Sequence, residues 1–120
     1  MEMKKITNER VKDSYYEVRH PSGLRIFIYP KEGCHSTYAV FGTRYGSIDS
    51  MFKRSDETEV CKVPEGIAHY LEHKMFESED GDAFLRYAKT GASANAYTTF
   101  DMTCYLFSCT DRVYESLEIL

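Results

Sequence analysis

Residues 66–76, GIAHYLEHKMF, put two of the chain's four histidines and a glutamate inside five positions of one short apolar segment. Pro64 and Glu65 stand just ahead of it. A proline suits the first turn of a helix, where an N–H has no partner in any case, and an acid there meets the positive end of the dipole. The pattern predicts a helix from Pro64 to about Phe76. On that helix His69, Glu72 and His73 share an arc of about 100°. Ile67, Ala68, Leu71 and Met75 form an apolar stripe on the other side, so one face is expected to enter the core while the other lines a cleft.

Side chains four apart on a helix begin about 5–6 Å from each other, and two imidazoles so placed can both reach a zinc ion at about 2.0–2.1 Å. The spacing of His69 and His73 is therefore a ligand spacing. Glu72 is offset to one flank, where it can take a proton from a water activated by the metal without ligating the metal itself. Composition alone produces an H-x-x-E-H somewhere in such a chain with a probability of roughly 1%. The plainer alternative is a pair of surface histidines on an amphipathic helix, with Glu72 in a local ion pair.

The rest of the chain reads as α+β. Residues 1–14 form a polar lead-in with charges of both signs and little reason for order. Tyr15 to His20 and Leu24 to Pro30, joined by Pro21, Ser22 and Gly23, predict a hairpin. His35 to Thr43 predicts a third strand. Residues 47–62 show no sustained period and read as a surface loop. The acidic stretch ESEDGD separates the histidine helix from a second one over Asp82 to Thr90, closed by Gly91. On that helix Phe84, Leu85 and Ala88 are read as core. Strands at Ser93–Phe100 and Met102–Cys109 follow, with Tyr105 and Phe107 on one face. A last helix starts at Thr110 or Asp111 and carries a stripe of Val113, Leu117 and Leu120. The expected fold is one mixed or antiparallel sheet covered by helices on one face.

With 42% hydrophobic residues, seven Phe and ten Tyr, 120 residues are enough for a core. A formal charge of −4 argues against a surface built for phosphates or anionic lipid, so neither nucleic acid nor membrane is an expected partner. No apolar run approaches a membrane span and the start lacks a signal-type hydrophobic core, which favours the cytoplasm. Cys34, Cys61, Cys104 and Cys109 contain no C-x-x-C pair and are expected to be reduced and mostly buried. Cys104 and Cys109 would project to opposite faces of one strand. His20 and His35 show no ligand spacing and are assigned no role.

The order H-x-x-E-H, reversed from the commoner H-E-x-x-H, resembles the inverzincin motif of the insulinase and pitrilysin peptidases. Two stretches carry the likeness, VPEGIAHYLEHKMF and GASANAYTTFDMTCYLF, in the order found in that family's N-terminal catalytic domain. It runs from about Tyr15 to the end of the chain. EHKMFESEDGD and GASANAYT are also similar to a bacterial subgroup of peptidase-like proteins associated with elongation factor P modification.

The resemblance implies that His69 and His73 bind zinc, that Glu72 is the general base, and that Ser93–Thr98 is an edge strand receiving an extended peptide by main-chain pairing. Asn95 and Ala96 are the candidate substrate contacts. The alternative for this stretch is a strand kept small because a helix packs on it. A catalytic zinc takes three protein ligands. The third, a glutamate, is implied beyond residue 120, and a second homologous half, on the same chain or a partner subunit, is implied to close the site.

Residues 15–120 are thus expected to be the incomplete N-terminal part of a metallopeptidase α/β sandwich. The parent protein is expected to be a zinc-dependent endopeptidase, and the 120-residue chain an inactive fragment. The rival readings are a non-catalytic peptide-binding or assembly subunit of a paired complex, and a plain α+β domain with incidental histidines.

Overall fold

The computed structural model describes residues 2–78 and 81–120. The chain divides into two compact units, Met1–Cys34 and His35–Leu120. In the first, β1 (Glu2–Asn8), β2 (Asp13–Arg19) and β3 (Arg25–Ile28) form an antiparallel sheet in that order. The β2–β3 hairpin is the expected one. Gly23, at φ 90°, turns the chain in a region that glycine enters without a Cβ clash, and its N–H donates to the His20 carbonyl at 2.9 Å.

The polar lead-in departs from expectation. Residues 2–8 pair with β2 along their whole length, from Glu2 opposite Arg19 to Asn8 opposite Asp13. Lys4 faces Glu17 and Ile6 faces Tyr15 across the ladder. Complementary cross-strand pairs stabilise a strand without an apolar run of its own.

The second unit contains β4 (Thr37–Thr43), β5 (Met51–Phe52), β6 (Cys61–Lys62), α1 (Ile67–Phe76), β7 (Glu77–Ser78), β8 (Gly81–Asp82), α2 (Ala83–Thr90), β9 (Ser93–Thr98), β10 (Thr103–Cys109) and α3 (Val113–Ile119). Its main sheet is antiparallel, in the order β4-β10-β9. The class is α+β with antiparallel sheets, as expected, but the single sheet drawn from all the early strands is instead two. Pro30, which offers no N–H, and a turn in which the Cys34 N–H donates to the Lys31 carbonyl stand between β3 and β4. Of the acidic separator, residues 79 and 80 lie outside the described residues; on either side of them β7 pairs with β8. The expected loop at 47–62 contains the short β5–β6 pair.

All three helices contact β9 or β10. They cover the face carrying Ala39, Phe107 and Ala94, which sit side by side across the three strands. Phe107 is wholly buried and its ring lies 5.6 Å from that of Tyr87 on α2. The opposite face leaves Tyr38 65% and Tyr97 44% exposed. Among the described residues, no helix is long and apolar enough to cross a membrane.

Two apolar stripes are placed differently from expectation. On α2, Phe84, Leu85 and Ala88 are exposed, and Tyr87 and Thr90 face the core. On α3, Val113 and Leu120 pack against the core as expected, but Leu117 is exposed and the buried position is Ser116. The Ser116 hydroxyl donates to Thr90 Oγ1 at 2.9 Å, and Thr90 donates to the Tyr87 carbonyl at 2.8 Å. Small hydroxyl residues let α2 and α3 approach closely while satisfying each other, a choice that hydrophobic periodicity does not register. The four cysteines are free; Cys104 and Cys109 are buried, whereas Cys61 is half-buried and Cys34 exposed.

Gly46 is where the chain crosses the β9–β10 turn most closely. A Cβ there would lie 2.3 Å from the Phe100 carbonyl oxygen. The neighbouring N–H groups of Ser47 and Ile48 donate to the Thr99 and Phe100 carbonyls at 2.9 and 3.1 Å. Gly46→Ala must push these backbones apart and is expected to cost about 1–3 kcal/mol, as overpacking does, read as a lower urea midpoint. An unchanged midpoint would contradict the packing described.

Candidate metal centre

Gly66, at φ 84°, opens α1, and the Ile67 N–H reaches back to the Pro64 carbonyl at 3.4 Å. Pro64 therefore belongs to a turn ahead of the helix, which starts three residues later than its position suggests. The buried residues of α1 are Ala68 and Glu72. Leu71 and Met75, expected in the core, are exposed, Met75 by 67%. The helix is thus rotated by roughly a quarter turn from the orientation that its apolar stripe implies. It presses the Ala68–Glu72 flank on the sheet, and the histidines border that flank.

His69, Glu72, His73 and Phe76 line a hollow of about 530 Å³ together with Glu77, Asp82, Phe84 and the β9 residues 95–98. The five residues singled out in the sequence, His69, Glu72, His73, Asn95 and Ala96, all lie on it. The Nε2 atoms of His69 and His73 are 3.1 Å apart, and their ring centroids 4.8 Å apart at 46°. Two nitrogen ligands of a tetrahedral zinc at about 2.05 Å are themselves about 3.3 Å apart. The imidazole pair fits a shared metal. Among the described residues no group of three His, Cys, Asp or Glu could hold one, and these two rings are what those residues offer.

Glu72 is only 7% exposed, and its Oε2 accepts a hydrogen bond from Thr98 Oγ1 at 2.8 Å. The local ion pair of the plainer alternative is not what holds it; its partner comes from β9, 26 residues on. Tyr105, beside it on β10, has its phenol pushed up by burial and further by the negative charge of Glu72. Phe84 stacks on Phe76, ring centroids 4.4 Å apart at 11°, and makes an apolar wall. Lys74 bonds Glu77 at 2.7 Å and holds that carboxyl below its usual range.

β9 is an edge of its sheet, and among the described residues its ladder partner is β10. Ala94 and Ala96 are half-buried on the helix-covered side, so the small residues serve packing there. Asn95 Oδ1 accepts from the Ala96 N–H at 2.9 Å, which satisfies an edge donor from within the strand. Thr98 and the Phe76–Phe84 pair also line the hollow, whereas from sequence Phe84 reads as core and Thr98 only as the end of the edge strand.

The family model described as Insulinase (Peptidase family M16) matches residues 61–120. The chain is 48% identical over 118 residues to a protein of Bacillus subtilis (strain 168) named uncharacterized zinc protease YmfH, covering 98% of this chain and 28% of that one. It is 33% identical over 108 residues to ubiquinol-cytochrome-c reductase complex core protein I, mitochondrial, of Euglena gracilis, covering 83% of this chain and 19% of that one. A crystal structure of an M16-like peptidase from Alicyclobacillus acidocaldarius superposes with a TM-score of 0.81 at 47% identity, covering 88% of this chain and 25% of that chain. The chain thus spans about a quarter of the length of these relatives.

Asp82 shapes the hollow's rim by capping α2, where its side chain accepts from the Phe84 N–H at 2.8 Å. Asp82→Ala is expected to cost about 1 kcal/mol in chemical denaturation. Glu77→Gln, which removes only an exposed ion pair, should leave the denaturation midpoint unchanged. Equal losses for the two would show that the cap is not what orders the rim.

Proposed function

The chain belongs to the insulinase family, Peptidase family M16, and on that premise we propose that residues 15–120 are the N-terminal part of the catalytic domain of a zinc endopeptidase. The observation that carries this is the pair of Nε2 atoms 3.1 Å apart with the Glu72 carboxylate beside them, in a hollow bordered by an edge strand. His69 and His73 hold the metal, with a glutamate beyond residue 120 as third ligand. Bound there, zinc would act as a Lewis acid, polarising the scissile carbonyl and lowering the pKa of a water.

Glu72 takes the proton of the attacking water. Glu72 lines the hollow, and with one oxygen bonded to Thr98 the other is left for that proton. The free edge of β9 at Asn95 and Ala96 receives the peptide in extended form, main chain to main chain, once the Asn95 amide yields the Ala96 N–H. The Phe76–Phe84 wall takes an apolar part of the substrate. A second homologous half closes the site, and the 120 residues alone bind zinc weakly or not at all and do not hydrolyse peptides. Net charge −4 fits a peptide-directed protein of the cytoplasm better than one that binds nucleic acid or a membrane.

A second reading, a peptide-binding or assembly subunit without turnover, is favoured by the relative named as a core protein of a respiratory complex. Glu72 separates the two. In the longer protein that carries this chain, Glu72→Gln is expected to lower kcat for peptide hydrolysis by about 10²–10⁴ while zinc stays bound. His69→Ala and His73→Ala are expected to lose the metal, read by elemental analysis. Peptidase activity indifferent to Glu72→Gln would exclude the catalytic reading.

A further inference from the structure

Among the described residues the side chain that donates to Glu72 is Thr98, and its single proton makes that role specific. A threonine hydroxyl has a single proton to donate. Thr103, directly across the ladder from Thr98, gives its proton to the Tyr45 carbonyl at 2.7 Å. The two hydroxyl oxygens are 3.5 Å apart, so Thr103 makes little claim on Thr98. The Thr98 proton goes to Glu72 Oε2 at 2.8 Å.

The strand end that presents it is fixed. Thr103 is 2% exposed, and the turn beyond Thr98 is tied by the Thr99 N–H to the Met102 carbonyl at 2.8 Å and by the Gly46–Ile48 backbone. Glu72 itself sits on α1 with three rotatable side-chain bonds between its carboxylate and the helix. A hydroxyl on a rigid β-branched residue, held from a different element, selects one of its rotamers.

We propose that Thr98 is the positioning residue for Glu72, holding Oε2 so that the other oxygen is the one left to take a proton. The strand whose edge receives the peptide therefore also sets the base. This rests on the catalytic reading above, and two measurements keep the failures apart.

In the longer protein, Thr98→Val keeps the strand-forming shape and removes the hydroxyl. It is expected to lower kcat roughly tenfold to a hundredfold, as misplacement of a reacting group does, with KM within about twofold and zinc content unchanged. Thr98→Ser is expected to restore kcat to within about threefold. A Thr98→Val enzyme with undiminished kcat, or one whose zinc content falls together with kcat, overturns the proposal.

In the metal-free 120-residue chain labelled with ¹³C-glutamate, three-bond couplings at Glu72 are expected to report a single rotamer in the original chain and in Thr98→Ser, and averaging in Thr98→Val. Averaging already present in the original chain, or none in Thr98→Val, overturns it whatever the activity. A single-rotamer result with peptidase activity indifferent to Glu72→Gln would instead leave Thr98 holding Glu72 while removing the catalytic reading.

Discussion

The seating of α1 on the sheet through Ala68 and Glu72 is the contact on which the site depends. Burying a carboxylate is costly unless a donor meets it, and Thr98 supplies that donor from β9. Because the buried flank is Ala68–Glu72, the adjacent flank of the helix faces the hollow, and His69 and His73 emerge there as a converging pair. A helix seated on its larger apolar residues would bury Leu71 and Met75 and turn the imidazoles elsewhere. Ala68 and the Phe76 ring, 5.9 Å from that of Tyr105, supply the apolar part of the seat of α1, and the Thr98 bond lets Glu72 be buried beside them.

The sheet prepares that contact. β10 lies between two edge strands and carries Phe107 under α2, so the helices share one platform. β9 does three things at once: Ala94 packs inward, Asn95 and Ala96 lie along a free edge, and Thr98 reaches Glu72. Small residues make these compatible, since a bulky side chain on the covered face of β9 would lift α1 and break the approach of Thr98. Gly46, threaded against the turn after β9, extends the same demand for close backbone packing to the far end of the strand.

Much of this was legible in the sequence. The H-x-x-E-H spacing, the hairpin at Pro21–Gly23, the stop of α2 at Gly91 and both strands of the β9–β10 pair lie where pattern and turn chemistry indicate. These signals are local, arising from residues within a few positions of one another. The misplacements share a cause as well. β1 is a strand because β2 pairs with it, from Asn8 opposite Asp13 to Glu2 opposite Arg19, Ser116 is buried because Thr90 meets it, and Glu72 is buried against a threonine 26 residues distant. Hydrophobic periodicity cannot register a polar side chain that is buried because another element satisfies it.

α1 brings two imidazoles together beside Glu72, their Nε2 atoms 3.1 Å apart. Zinc-edge anomalous diffraction from crystals of the longer protein, grown with zinc, tests this arrangement most directly. One strong peak is expected at about 2.0–2.1 Å from Nε2 of both His69 and His73. A peak bound to only one of these rings, or zinc held elsewhere with both rings unligated, would contradict it.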